Sequence, residues 1–349
     1  MIAVSTQSNQ TKLQAHRESA PSDLPVWQAS LAQAITDPAE LLNILGLDPA
    51  LLPAAQVAAK LFPLRVPRGF VARMEHGNPD DPLLRQVLPL GAETLQTPGF
   101  VTDPVGDMAS RIAPGVLHKY RGRALLISTG ACGVHCRYCF RRHFPYGEDT
   151  ASSQHWQSAL AAIQQDTSIR ELILSGGDPL SLNERRLREL SQGLLHIPHL
   201  KRLRIHTRQP VVLPERVDTE LLHWLDSINL QKVMVLHINH PREISDEVIQ
   251  ACQALARHGV TLLNQSVLLK GVNNSATVLT ELSETLFATG IQPYYLHLLD
   301  PVQGAGHFDV PVHEAQTIMN TLQAELPGFL VPKLVRELPG HASKTPVAF

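Results

Sequence analysis

The sequence predicts an α/β protein whose main body is an open or partial (β/α)6 barrel, preceded by a helical extension. Two observations carry this reading. After residue 120, six short apolar runs alternate with longer segments of helical periodicity, a pattern that implies a parallel sheet with right-handed crossovers. Residues with chemical capacity cluster just after the strands and the GxGxxG turn is absent, which favours a barrel over a dinucleotide-binding sheet.

Residues 1–22 are polar, lack a basic segment followed by an apolar stretch, and read as a flexible lead-in without a secretory signal. Residues 23–110 form a helical and loop region. Within 24–60, apolar positions recur at three- and four-residue spacing and are broken by Asp-Pro pairs that mark helix starts, while 61–120 is dense in Pro, Gly and Asp. The barrel is expected over 111–330. Its strands are the runs at 124–129, 171–176, 202–207, 232–239, 261–269 and 293–300, and its helices lie near 153–165, 184–195, 217–227, 245–258, 276–289 and 312–325. Residues 331–349 form a C-terminal tail.

Composition narrows the function. Lys+Arg total 30 against Asp+Glu 32, so no positive excess drives nucleic-acid binding, and no apolar run approaches a membrane span. A small-molecule substrate and a cytoplasmic location are expected. In a reducing compartment, clustered cysteines hold metal or do redox chemistry more often than they form disulfides.

Three of the four cysteines fall inside the stretch 132-CGVHCRYCFRRHFPYG-147, directly after the first strand. Cys132, Cys136 and Cys139 can converge on one centre, and thiolates suit zinc or an iron-sulfur cluster. A closed zinc site would draw its fourth ligand from His135 or His143. A four-iron cluster on three cysteines would leave one iron open. Cys252, in a helical pattern, reads as a core thiol. A second motif, 174-LSGGDPL-180, follows the second strand; its glycines let backbone approach a ligand closely.

The C-x3-C-x2-C loop after the first strand resembles the signature of radical S-adenosylmethionine (SAM) enzymes, which fixes the expected fold as a TIM-like radical SAM barrel. That resemblance implies a [4Fe-4S] cluster whose open iron binds SAM and cleaves it to a 5'-deoxyadenosyl radical. It makes Ser175, Gly176, Gly177, Asp178 and Gln265 candidate SAM contacts. From about residue 64 onward the chain is similar to the lysine 2,3-aminomutases, through LHKYRGRALL, CRYCFRRHF, ILSGGDPL, RQPVVLPERV, HINHP, GVTLLNQSVLLKGVN, PYYLHLLDPVQGAGHF and the tail HASKTPV.

This second resemblance implies that Lys344 carries pyridoxal 5'-phosphate (PLP), with Lys333 the rival. It implies further that Lys119, Arg123 and Arg208 surround the PLP phosphate and that Arg141 grips the substrate carboxylate. Asp300 and Glu337 would receive an ε-ammonium, Glu337 standing where the lysine enzymes carry aspartate. Two carboxylates select a cationic side chain over glutamate. The segments HKYRGRALL, RRHFPY and LVPKLVRE are closest to the branch that makes (R)-β-lysine for modifying elongation factor P. An electron donor such as flavodoxin or ferredoxin is implied. Ser275 replaces a zinc-binding cysteine of clostridial relatives, so a homo-oligomer here would lack intersubunit zinc. His237 and His240 read as hydrogen-bonded structural groups. The alternatives are a glutamate or other amino-acid 2,3-aminomutase, a PLP-free radical SAM enzyme, and a zinc-stabilised interaction module.

Overall fold

The computed structural model describes residues 24–147 and 156–349. The lead-in at 1–22 and the start of the helix expected at 153 lie outside the described residues.

One sheet of ten strands runs in chain order: β1 (Arg111–Ala113), β2 (Val116–Tyr120), β3 (Arg123–Thr129), β4 (Glu171–Gly176), β5 (Arg202–Thr207), β6 (Gln231–Leu236), β7 (Val260–Val267), β8 (Gln292–His297), β9 (Lys333–Arg336) and β10 (Thr345–Pro346). Strands β3 to β9 are parallel, whereas β1 and β2 at one edge and β10 at the other are antiparallel to their neighbours. Among the described residues β1 and β10 do not pair, so the barrel is open.

Six helices return the chain between successive parallel strands: Trp156–Gln165, Glu184–Leu194, Thr219–Asp226, Asp246–Arg257, Ala276–Ala288 and Val312–Glu325. Their bounds follow the expected periodic segments closely. The tail differs from expectation, because Lys333–Arg336 forms a seventh parallel strand with Leu334 and Val335 buried. The 4 residues of this strand, between Pro332 and the Leu338-Pro339-Gly340 turn, are too few to show a period.

Side-chain alternation explains how the strands place a site. Ala124, Leu126, Leu172, Leu174, Leu203, Ile205, Met234, Leu236, Leu262, Leu296 and Leu334 face the helices and share one apolar core. The alternate residues Leu125, Ile173, Ser175, Arg204, His206, Gln265, Val267, Tyr295 and His297 line a cavity of about 260 Å³. The sheet therefore curves around that cavity with a polar inner face.

A second core joins Trp27, Leu41, Phe70, Leu83 and Leu84 of the N-terminal region to Val134 of the cysteine loop and to Val212 and Leu213 beyond β5. The Asp-Pro signals do what they suggest. Asp37, Asp48 and Asp81 each cap a short helix by accepting a hydrogen bond from a backbone N–H two residues on.

Candidate active site

At one end of the cavity stand Cys132, Cys136 and Cys139, in the loop that leaves β3. The N-terminal region gives this loop its shape. Backbone N–H groups of His135 and Arg137 donate to the carbonyls of Arg65 and Gln86, both at 2.9 Å. The Arg137 side chain, fully buried, grips Glu93 through Nε (2.8 Å) and Nη2 (2.5 Å), and Arg142 reaches the same carboxylate at 2.8 Å. Burial and the neighbouring cysteines push the Cys132 thiol well up, and the same causes lift Cys139 to about 11.

The glycine motif serves this loop from below. Gly176 adopts φ +112°, and a Cβ there would stand 2.8 Å from the Thr129 carbonyl; one on Gly177 would collide with the Ala131 carbonyl. Gly177 and Asp178 donate their N–H groups to Thr129 and Ala131 at 2.7 and 2.8 Å, which ties β4 to the cysteine loop. The Asp178 carboxylate accepts from Leu180 N–H, Thr207 Oγ1, Arg208 N–H and Gln209 N–H. Those four donors occupy it as a brace between loops. Ser175 turns its Oγ to Arg141 Nη1 at 3.1 Å.

At the opposite end lie Lys119, Arg123, Asp300, Glu337 and Lys344. Lys344 Nζ donates to Glu337 Oε2 at 2.7 Å, and Lys119 Nζ reaches Asp107 at 2.6 Å and Glu337 at 3.2 Å. Burial would raise the Glu337 carboxyl, but the Lys344 and Lys119 ammoniums overcome that and hold it down at about 2. The Asp300 carboxylate has no hydrogen-bond or ion-pair partner among the described residues, and burial followed by the Glu337 charge lifts it to about 7. One pocket thus holds a firmly ionised carboxylate beside a labile one. Lys333 is exposed at the start of β9, away from the cavity lining.

Asp107 is the residue that sequence reasoning missed. Nearly fully buried, it joins Lys119 to Arg141 Nε (2.7 Å), linking the lysine end to the guanidinium that follows the last cysteine. Its segment, TDPVGDMAS, carries no feature that separates it from any polar loop. His206 and His297 were also passed over, although each interrupts an apolar strand at an inward position, as Gln265 does. His297 is buried and His206 half-buried; both line the cavity and leave Nε2 without a partner among the described residues, and desolvation drives both imidazoles well below the usual histidine range. His237, read as structural, lines the cavity too and lies 3.1 Å from Gln265 Nε2. His240 is structural, since its Nδ1 accepts from Arg242 N–H.

The family comparison decides what this cavity belongs to. The Radical SAM superfamily model matches residues 126–280. The chain is 51% identical over 322 residues to the L-lysine 2,3-aminomutase of Escherichia coli (strain K12), covering 92% of this chain and 94% of that protein. It is 51% identical over 319 residues to the Haemophilus influenzae protein of that name (91% and 94% covered) and 33% identical over 322 residues to the Clostridium subterminale one (92% and 77% covered). The chain belongs to the radical SAM L-lysine 2,3-aminomutase family. It is therefore an enzyme, of the isomerase class.

Membership of the radical SAM L-lysine 2,3-aminomutase family implies a [4Fe-4S] cluster and SAM, and the residues present fit both. His135 Nδ1 contacts the Pro63 carbonyl (2.9 Å) and His143 Nε2 the Gln303 carbonyl (3.1 Å). Among the described residues no three His, Cys, Asp or Glu side chains converge on a single ion. Three thiols at one wall of a cavity with an open side suit a cluster that keeps one iron for SAM. The unpartnered His206 and His297 nitrogens, with Gln265, offer polar contacts deeper in the same cavity. Arg208, expected near the PLP phosphate, has its guanidinium hydrogen-bonded to Cys136, Gln86 and Glu243.

Proposed function

We propose that this enzyme is an L-lysine 2,3-aminomutase that converts (S)-α-lysine to (R)-β-lysine with a [4Fe-4S] cluster held by Cys132, Cys136 and Cys139, SAM, and PLP held by Lys344. The observation that carries the substrate reading is the acidic pair Asp300 and Glu337 beside Lys344 at one end of a cavity whose other end holds the cysteines. The names of the relatives point the same way. When bound, the cluster with SAM supplies one-electron hydrogen abstraction, and PLP supplies the carbonyl and conjugated ring through which an amino group can change carbons.

The chain's own residues set up that chemistry. Glu337 Oε2 accepts a hydrogen bond from Lys344 Nζ and holds that side chain in place, and Lys344 with Lys119 keeps Glu337 ionised. Arg123 makes no ion pair among the described residues; its guanidinium lies 4.6 Å from the Tyr120 ring centroid and is a cation left to receive a phosphate. Lys119 is already committed to Asp107 and Glu337, which favours Arg123 for that task.

Arg141 spends Nε on Asp107 and Nη1 on Ser175; Nη2 has no partner among the described residues and can bind a carboxylate. Asp300 supplies a spare acceptor for an ε-ammonium. Glutamate would bring a third negative charge to this pocket and be repelled.

The resemblance to the elongation factor P branch supports β-lysine as a donor for modifying that factor, with flavodoxin or ferredoxin as reductant in the cytoplasm. The test is anaerobic incubation of the reconstituted protein with lysine, SAM, PLP and a reductant, resolving α- from β-lysine. β-Lysine is the expected product. A protein loaded with both cofactors that leaves lysine untouched would overturn the substrate reading.

A further inference from the structure

Arg208, just beyond β5, is held on every side. Its backbone N–H donates to Asp178 Oδ2 at 2.7 Å, Nη2 donates to Gln86 Oε1 at 2.6 Å and Glu243 Oε2 at 2.8 Å, and Nη1 donates to Cys136 Sγ at 2.8 Å. The rings of Phe70 and Tyr138 flank the guanidinium at 5.6 and 5.8 Å, and the side chain is only 4% exposed. An arginine keeps its charge in such a place. Glu243 is fully buried, and its other oxygen accepts from the backbone N–H groups of Asn239 (2.9 Å) and His240 (3.1 Å), which fixes the carboxylate in turn. The result is a rigid file of sulfur, guanidinium and carboxylate.

We propose that Arg208 is a positioning residue that raises the reduction potential of the cluster through its N–H···S hydrogen bond and fixed charge at Cys136, and that Glu243, on the far side of the same guanidinium, opposes it. The inference rests on the ligation by Cys132, Cys136 and Cys139 proposed above. Reduction places one more electron on a cluster whose thiolates already make it anionic. A donor to a ligand sulfur and a nearby cation favour that more negative state, and the low dielectric of a buried network strengthens both effects. The Glu243 carboxylate cancels part of the cation's field, so the two residues act with opposite sign.

The sign can be read without substrate turnover. Full-length protein is reconstituted with iron and sulfide, without SAM, lysine or PLP, and titrated with dithionite as the one-electron source while the reduced cluster is followed by electron paramagnetic resonance. Arg208→Gln is expected to make the midpoint potential more negative, Arg208→Lys to move it less in that direction, and Glu243→Gln to make it more positive. Mere loosening of the loop would lose iron or shift both neutral variants the same way.

If Arg208→Gln does not hold iron, Arg208→Lys and Glu243→Gln carry the decision. An unchanged or more positive potential in an iron-loaded Arg208 variant, or an unchanged or more negative one in Glu243→Gln, overturns the inference. Wild-type protein that never takes up about four irons per chain would overturn the cluster assignment itself, and this inference with it.

Discussion

At the cysteine end of the cavity the three thiols come from eight consecutive positions, 132 to 139, whereas the charged groups of the lysine end come from positions 107, 119, 123, 300, 337 and 344. The first set sits on one loop shaped by hydrogen bonds to an earlier segment. The second is assembled by the sheet, which brings β2, the end of β8 and the β9–β10 hairpin to the same side. A local motif can be moved or lost as a unit, but a site gathered from six places depends on the register of the whole sheet. The two ends should therefore fail independently and differently.

The largest effect expected is Cys136→Ser, which removes a cluster ligand and lowers β-lysine formation by more than about a thousandfold. Lys344→Ala should be as damaging. The comparison is sharpened by what each variant keeps: Cys136→Ser retains the visible absorbance of lysine-bound PLP but little iron, and Lys344→Ala retains iron and loses that absorbance. A variant that loses both would show that the ends are one cooperative unit.

Glu337→Gln comes next. Removing one partner of a buried charge pair costs about 2 kcal/mol or more, so KM for lysine should rise roughly thirtyfold, measured by steady-state kinetics under anaerobic conditions.

A smaller effect separates the two carboxylates by pH. Asp300 is lifted to about 7, so it is neutral below that pH and anionic above it, whereas Glu337 at about 2 stays ionised throughout. Lysine affinity should rise as pH increases through about 7, by at most about tenfold per unit, and Asp300→Asn should flatten that dependence. A profile unchanged in Asp300→Asn would remove this carboxylate from ammonium recognition.

The smallest effect is expected from the fourth cysteine. Cys252 is fully buried in the helix Asp246–Arg257, within the core behind the sheet. Cys252→Ala should cost roughly 1–2 kcal/mol in thermal unfolding, as other small core truncations do, and leave the iron content unchanged.

The parallel strands and their crossovers could be read from the sequence because the outward faces of the strands are mostly apolar, as at Leu172, Leu174, Leu203, Ile205, Met234 and Leu236, while helices such as Asp246–Arg257 keep a clean amphipathic period. The cysteine loop was equally plain, since spacing alone brings its thiols together. The partners of Arg208 were not legible, because a lone arginine after a strand carries no sign of which neighbour it will meet; only the fold shows Glu243, 35 positions later, paired with it. Asp107 was invisible for the same reason. His206 and His297 carry the same signal as Gln265, a polar residue on the inward parity of an apolar strand, and weighing that parity would have found both.

Many of the bonds that shape the cysteine loop run backwards along the chain. Residues 135 and 137 lean on carbonyls at 62, 63, 65 and 86, and Arg137 and Arg142 on Glu93. A ribosome delivers those partners dozens of residues before the first cysteine leaves the tunnel. Part of the cradle for the thiols is thus available when they emerge, while the later partners Gly177, Asp178 and Arg208 and most of the barrel are still unmade. The lysine end has the reverse history, because Glu337 and Lys344 follow the strands β3 to β8 in the chain. The cysteine loop meets its earlier partners before those strands exist, and the lysine end closes only after β9 and β10 have joined the sheet.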